Sequence, residues 1–356
     1  MAIFYRCIMN SVMREQFEKW GHVCAYYSTD LNFLNISMFL GFYVSYVSAR
    51  WWSMYQTIPW IDNVCFGVTT CVGRFCDTNE SLALAAQEVR RELVRLACLT
   101  FALTTLGISA QVRNALASSE DPVECPGFAN LVKLGVLTPN ELSEILVLKQ
   151  VELPRKSIWW LPISWATEVI AKAREAGIIS SDITMVEMQK HLITFHNKAG
   201  TMFDYDVIGV PLIYTQVTAY SVYVYFALSI VGRAQYYNHN TNGTDDEASG
   251  DVITKYFPIF TVVQFILIVG WLKVAGKMLD PYGTDGQSTD ATFDLMWIFM
   301  RNLEISKHAV DRQANPKSLG NLPPSWNFDK STSSSRRRSS ATFQEEGTEW
   351  RNDLPL

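Results

Sequence analysis

The chain has 356 residues, is 48% hydrophobic and 18% charged, and carries a formal net charge of −5. It is too apolar for a disordered polymer and long enough for one large or two ordinary domains. It has no basic excess of the kind a nucleic-acid partner requires, so no nucleic acid is expected among its partners.

Residues 1–30 read as an N-terminal connector. Met1 to Met13 is interrupted by Arg6 and lacks the apolar centre of a signal peptide, and Gln16 to Thr29 is charged and amphipathic. Leu31 to Ala49 then gives nineteen uncharged residues between Asp30 and Arg50. At about 1.5 Å per residue, a helix of that length just crosses a hydrocarbon core of roughly 30 Å. On that helix Leu34, Met38 and Phe42 recur every fourth residue, and Ser37, Gly41 and Ser45 form a neighbouring stripe of small residues. Small residues at this spacing let helix backbones approach closely in lipid, which predicts helix packing there. On spacing alone, the Leu/Met/Phe stripe faces lipid or a protein core more often than a pore.

Leu96 to Val112 is a second uncharged window, flanked by arginines and sprinkled with threonine; it fits a helix buried in a helical body at least as well as a span. Thr138 and Pro139 predict a helix start, as do Ser181 and Asp182, with Gly200 as that helix's end. Val207 to Gly232 is a span of twenty-six uncharged residues that Pro211 should bend, and Tyr256 to Leu272 a shorter one of seventeen. Between them lies an acidic stretch with the sequon Asn242-Gly243-Thr244, which predicts an extracellular loop glycosylated at Asn242. The basic segments before and after are then cytoplasmic, which places the C-terminus inside. From residue 311 to 356 the chain is a polar tail expected to be disordered. Ser339 and Ser340 follow three arginines there, a pattern that suits a basic-directed kinase.

Seven cysteines without a CxxC pair read as reduced thiols rather than a disulfide framework or zinc site. His191 and His196 are five apart and do not share a helix face, and no nucleophile motif, P-loop or HExxH accompanies them. Neither an enzyme nor an organic cofactor is expected.

The run GFYVSYVSARWWSMYQTIPWIDN, Gly41 to Asn63, closely resembles the bestrophin family in its Gly-Phe-Tyr-Val lead, Arg-Trp-Trp, aliphatic-Pro-Trp and Asp. Further likeness lies in FDYDVIGVPLIYTQV (Phe203 to Val217), FPIFTVVQFILIVGWLKVAGKMLDPYG (Phe257 to Gly283) and WIFMRNLEIS (Trp297 to Ser306), and covers roughly residues 14 to 310. The resemblance implies an all-α, multi-pass membrane bundle with a large helical cytosolic portion, assembled as a homo- or hetero-pentamer in the plasma membrane. Its function there would be that of an anion channel for chloride and similar anions. The channel domain would run from 31 to 310, with spans near 31–49, 207–232 and 256–272 and cytosolic parts near 50–206 and 273–310. Leu34, Met38 and Phe42 would form a hydrophobic neck, where the family usually has Ile and two Phe, and Ile183 a second, cytosolic constriction.

Asp280, Asp285, Asp290 and Asp294 fall where the family holds a Ca2+ clasp, but Asp280 replaces its Asn and Gly286 to Thr289 break the acidic run. The family's Arg-Phe-Pro triplet is also absent, Arg113-Asn114-Ala115 standing in its place. The family carries a further span before the one at Leu31, so the expectation is either a divergent, N-terminally shortened member or a chain that begins outside. A non-conducting subunit that assembles with full-length relatives is the alternative to a channel.

Overall fold

The computed structural model describes residues 13, 15–16, 19–20, 23–24, 36–73, 80–118, 127–150, 158–240, 259–284 and 289–312, and every regular element among them is helical. They fold as two compact units. The first gathers the described residues of 1–57, 204–283 and 287–293, and the second those of 58–203, 284–286 and 294–356.

The first unit is built on α1 (Ile36–Thr57), α9 (Leu212–Asn240) and α10 (Ile259–Lys277). Leu40, Tyr43, Val44 and Val47 recur at the spacing of one helix face, and this face packs against Val222, Tyr225 and Phe226 of α9 and Ile268, Leu272 and Ala275 of α10. Polar groups inside the contact are paired across helices. Tyr43 donates to Thr215 Oγ1 at 3.3 Å, and Gln264 donates to the Tyr225 hydroxyl at 3.4 Å.

Helix boundaries depart from the charge-free windows. Helix α1 runs past Arg50 to Thr57, because the guanidinium finds backbone carbonyls instead of needing water. Residues 208–211 are not helical, so α9 starts at Leu212 rather than near 207, and the Pro211 carbonyl accepts its first bond from Tyr214 at 2.9 Å.

The second unit contains α2 (Asp62–Cys71), α3 (Glu80–Ile108), α4 (Ala110–Leu116), α5 (Phe128–Lys133), α6 (Pro139–Gln150), α7 (Leu161–Glu175) and α11 (Leu295–Arg312), together with α8 (Asp182–Val207) up to its last turn. Its centre is α3, which packs on α7, α11 and α2. Residues Leu96 to Leu106 of α3 are buried throughout. Thr100, Thr104 and Thr105 are tolerated there because each hydroxyl donates to a carbonyl one turn back, at 2.8 to 3.0 Å. The chain then turns by 114° into α4. Ser109 caps the new helix through the Val112 N–H, and Arg113 closes the old one by donating to the Leu106 and Gly107 carbonyls at 2.9 and 3.2 Å. Arg113, at the place of the absent triplet, thus serves as the helix cap of this corner.

Among the described residues no single helix is long and apolar enough to cross a membrane, while two pairs, Ser81–Ile108 with Ala110–Leu116 and Asp182–Val207 with Leu212–Ile230, meet that test together. The described cysteines Cys24, Cys65, Cys71 and Cys98 are free thiols. Burial pushes the Cys65 thiol up to about 12, which leaves it protonated and inert at neutral pH.

Both sequence-derived helix starts hold. Thr138 and Glu141 form a reciprocal capping box, the Thr138 N–H donating to Glu141 Oε2 at 2.9 Å and the Glu141 N–H to Thr138 Oγ1 at 3.4 Å. Ser181 Oγ accepts from the Thr184 N–H at 3.3 Å. Gly200, however, does not end α8, which continues to Val207. A Cβ there would sit 3.0 Å from Trp159 Cη2, so the glycine serves close packing of the indole on the helix.

The Glu141 carboxylate also binds Arg95, at 2.6 and 2.9 Å, and Arg95 reaches Glu92 and the Val136 carbonyl as well. Burial alone would raise the Glu141 pKa, but the Arg95 guanidinium and the Thr138 N–H more than offset it and hold the carboxyl below its ordinary value of 4.5. A depressed folded-state pKa adds stability that is present above the unfolded value and is lost as pH falls through the folded one. Glu141→Gln should therefore lower stability at pH 7 by about 1 to 2 kcal/mol, allowing for solvent screening. Thermal melts of the two proteins should converge as the pH drops below 4.5; an equal gap at pH 7 and under acid would contradict this linkage.

Candidate functional site

Helix α1 is two-faced. Its packed face is the Leu40, Tyr43, Val44 and Val47 row, and the other face carries Met38 and Phe42 out of the unit, 58% and 66% exposed. Two apolar side chains one turn apart therefore stand together, each more than half exposed; Leu34, the third member of the stripe, lies outside the described residues. Of the small-residue stripe, Ser37 and Ser45 are exposed, and Gly41 meets a neighbouring helix, its Cβ direction ending 3.9 Å from Trp271 on α10.

In the second unit Ile183 sits in the first turn of α8 and is 84% exposed. A β-branched apolar side chain beside a Ser181 cap thus stands largely in the open rather than in the core of its unit. Asn242, Ser339 and Ser340 lie outside the described residues.

The lower half of α1 is tied to the loop that follows α10. The Trp51 indole donates to the Ala291 carbonyl at 2.8 Å, and its ring lies 5.1 Å from that of Phe293. Tyr282, fully buried, donates to the Met54 carbonyl at 3.0 Å and lies 2.8 Å from Thr57 Oγ1. Burial pushes its phenol above the usual range, so it stays a neutral hydrogen-bond donor.

The loop's acids are less convergent than their spacing in the sequence. Asp280 is half-buried, Asp290 exposed, and Asp285 outside the described residues. Asp294 caps α11, accepting from the Trp297 N–H at 2.9 Å. Thr289 Oγ1 is buried without a hydrogen-bond partner. Among the described residues no three His, Cys, Asp or Glu stand close enough to hold a metal ion, so these alone do not make a complete Ca2+ cage.

The segments that carry the sequence motif meet one another. In the second unit Arg301 binds Asp62 through two contacts of 3.0 Å and lies 4.8 Å over the Trp60 ring, and this bond, more than partial burial opposes it, holds the Asp62 carboxyl below its usual range. The buried Asn302 spans the Pro59 carbonyl and the Ile61 N–H at 3.4 and 3.5 Å. In the first unit Arg50 donates to the Tyr205 carbonyl at 2.9 Å and to that of Ile208. In the sequence Arg50 ends an apolar window and opens the Arg-Trp-Trp run, and Arg301 and Asn302 lie in another run of the family likeness, but none of the three has a role there. Their signal was a charge or amide embedded in an aromatic run, which in a folded chain demands a partner.

Comparison with solved structures places this all-helical architecture among bestrophin homologues. A crystal structure of a bacterial bestrophin homologue from Klebsiella pneumoniae superposes with a TM-score of 0.54 at 15% identity, covering 83% of this chain and 97% of that one. A second structure of that homologue gives 0.54 at 17% identity, covering 80% and 86%. Residues 1–312 match the family described as bestrophin, RFP-TM, chloride channel. Human bestrophin-1 is 32% identical over 311 residues, 87% of this chain and 48% of its own length; human bestrophin-3 is 30% identical over 311 residues, covering 87% and 42%. The chain belongs to the bestrophin family, and it spans about half the length of these curated relatives or less.

Proposed function

We propose that the chain is a pore-forming subunit of a plasma-membrane anion channel, passing chloride and similar anions through a pentamer of bestrophin type, with selection and gating but no covalent chemistry. The observation that carries this reading is the bare face of α1. Met38 and Phe42 are apolar, adjacent and uncovered in their own unit, as neck residues contributed by each of several subunits must be. A narrow apolar ring excludes water and ions, and a small widening rewets it. Phe42 keeps the aromatic ring usual in the family, while Met38 adds a flexible thioether. Helix α10 supports the membrane setting, since Ile266 and Leu267 point outward, 61% and 66% exposed, with Phe265, Trp271 and Val274 also exposed. In this reading Ile183 forms a second constriction, the sequon at Asn242 is extracellular, and the tail with Ser339 and Ser340 is cytoplasmic.

Ca2+ regulation belongs to the same proposal, at the loop of Asp280, Asp285 and Asp290. Support comes from the family resemblance and from the bonds of Trp51 and Tyr282, which fasten this loop to α1. Because the described acids do not converge, a non-conducting subunit that assembles with full-length relatives is kept as the second reading.

Whole-cell recording separates the two. Expressed alone, the chain should carry an anion current, and Met38→Ala, by shortening the constricting side chain, should raise it severalfold with surface delivery unchanged. Surface delivery without current, recovered only on co-expression with a full-length relative, supports the second reading. Titration of the detergent-solubilised chain with Ca2+ should change tryptophan fluorescence through Trp51, and Asp290→Asn should weaken the response at least several-fold; the same titration in the variant as in the parent would remove calcium from the account.

A further inference from the structure

Arg50 directly follows the uncharged part of α1, yet its guanidinium is directed at the break in the chain between α8 and α9. Nη2 donates to the Tyr205 carbonyl at 2.9 Å and to the Ile208 carbonyl, and the guanidinium carbon lies 5.0 Å from the centre of the Tyr205 ring. The Tyr205 carbonyl lies in the last turn of α8, where the final backbone acceptors lack partners within the helix and a cation is favoured by the helix dipole, and the Ile208 carbonyl is the first beyond it.

The segment so held, Ile208 to Pro211, is the only stretch between Asp182 and Asn240 outside a helix, and Gly209 and Pro211 prevent either neighbour from extending through it. Val207, Ile208, Leu212 and Ile213 around it are all exposed, so side-chain packing does little to fix it. Two further contacts lie along the same side of α1: the Tyr46 and Tyr214 rings stack at 6.3 Å, and Tyr43 bonds Thr215. Residues 43, 46 and 50 thus form a rail, one helical turn after another, on which the break and the start of α9 rest.

Arg50 Nε is buried and has no acceptor. Part of the guanidinium's bonding capacity is unused in this arrangement, which lowers the cost of exchanging it for another.

We propose that Arg50 is a latch: it fastens the Ile208–Pro211 break to α1, and its engagement and release set the position of the helix that carries Met38 and Phe42. The proposal rests on the channel reading for its consequence, though not for the latch itself. Arg50 is a positioning residue, acting through α1 and touching no permeating ion.

The test compares the parent chain, Arg50→Gln, Arg50→Lys and Tyr205→Leu. Hydrogen–deuterium exchange of the purified full chain should show peptides spanning 205–212 exchanging about tenfold faster or more in Arg50→Gln, as loss of charge-assisted bonds to two carbonyls implies. Arg50→Lys, which keeps the charge but not the fork, should fall between. In single-channel recordings Arg50→Gln should shift the open fraction severalfold while unitary conductance and anion selectivity stay at parental values. Tyr205→Leu leaves both carbonyls in place and removes the ring, so it should move exchange and open fraction in the same direction by a smaller factor; it decides the matter if Arg50→Gln fails to reach the membrane. Unchanged exchange, or faster exchange with an unchanged open fraction, overturns the latch as a gating element, and altered conductance or selectivity overturns its positioning role. A parent chain without current contradicts the channel reading instead, and the exchange result then decides whether the latch exists.

Discussion

Everything proposed for this protein depends on how α1 is held. Leu40, Tyr43, Val44 and Val47 bury one face against α9 and α10, and burial of such side chains is worth about 1.5 to 3 kcal/mol each. That packing fixes the rotation of the helix about its axis. Once the rotation is fixed, Met38 and Phe42 have no choice of direction: they lie on the opposite side and stay mostly exposed. A rotation of α1 by about half a turn, close to two residue positions, would bring the neck residues inside and turn the packed face out, so a single hydrophobic contact determines whether this helix can line a pathway.

The remaining polar contacts of the first unit reinforce that placement from below. Trp51 and Tyr282 bind the lower half of α1 to the 280–293 loop, and Arg50 binds it to the end of α8. Each uses a side-chain donor on a backbone carbonyl. Such bonds fix geometry without requiring a particular partner side chain, and so they are compatible with the departures from the family pattern seen around Asp280 and Met38.

How much of this could be read in the sequence follows from whether the determinant is local. Capping is local, and the starts at Thr138 and Ser181 were legible from four-residue patterns. For Leu96 to Leu106 the sequence left a buried helix and a span both open, because threonines in an apolar helix satisfy themselves within one turn in either setting, and the burial itself comes from the neighbours of α3. The continuation of α1 beyond Arg50 was not legible, since the carbonyls that accept from it are more than 150 residues away in the chain. Gly200 misled for the same reason: its meaning lies in Trp159, a residue from another element. Asp294 looked like one acid of a cluster, whereas the fold engages it as a helix cap. At the candidate neck the residue types and spacing were visible, but which face of α1 is free was decided by α9 and α10.

The most direct measurement is cysteine accessibility along α1 in the conducting protein. Met38→Cys and Phe42→Cys, one turn apart on the bare face, should react with small charged thiol reagents from the aqueous side and lose current on modification, while Leu40→Cys, buried against α9 and α10, should be silent. Loss of current through position 40 with positions 38 and 42 unreactive would contradict the account, because it would put the ion pathway on the face that the fold has closed.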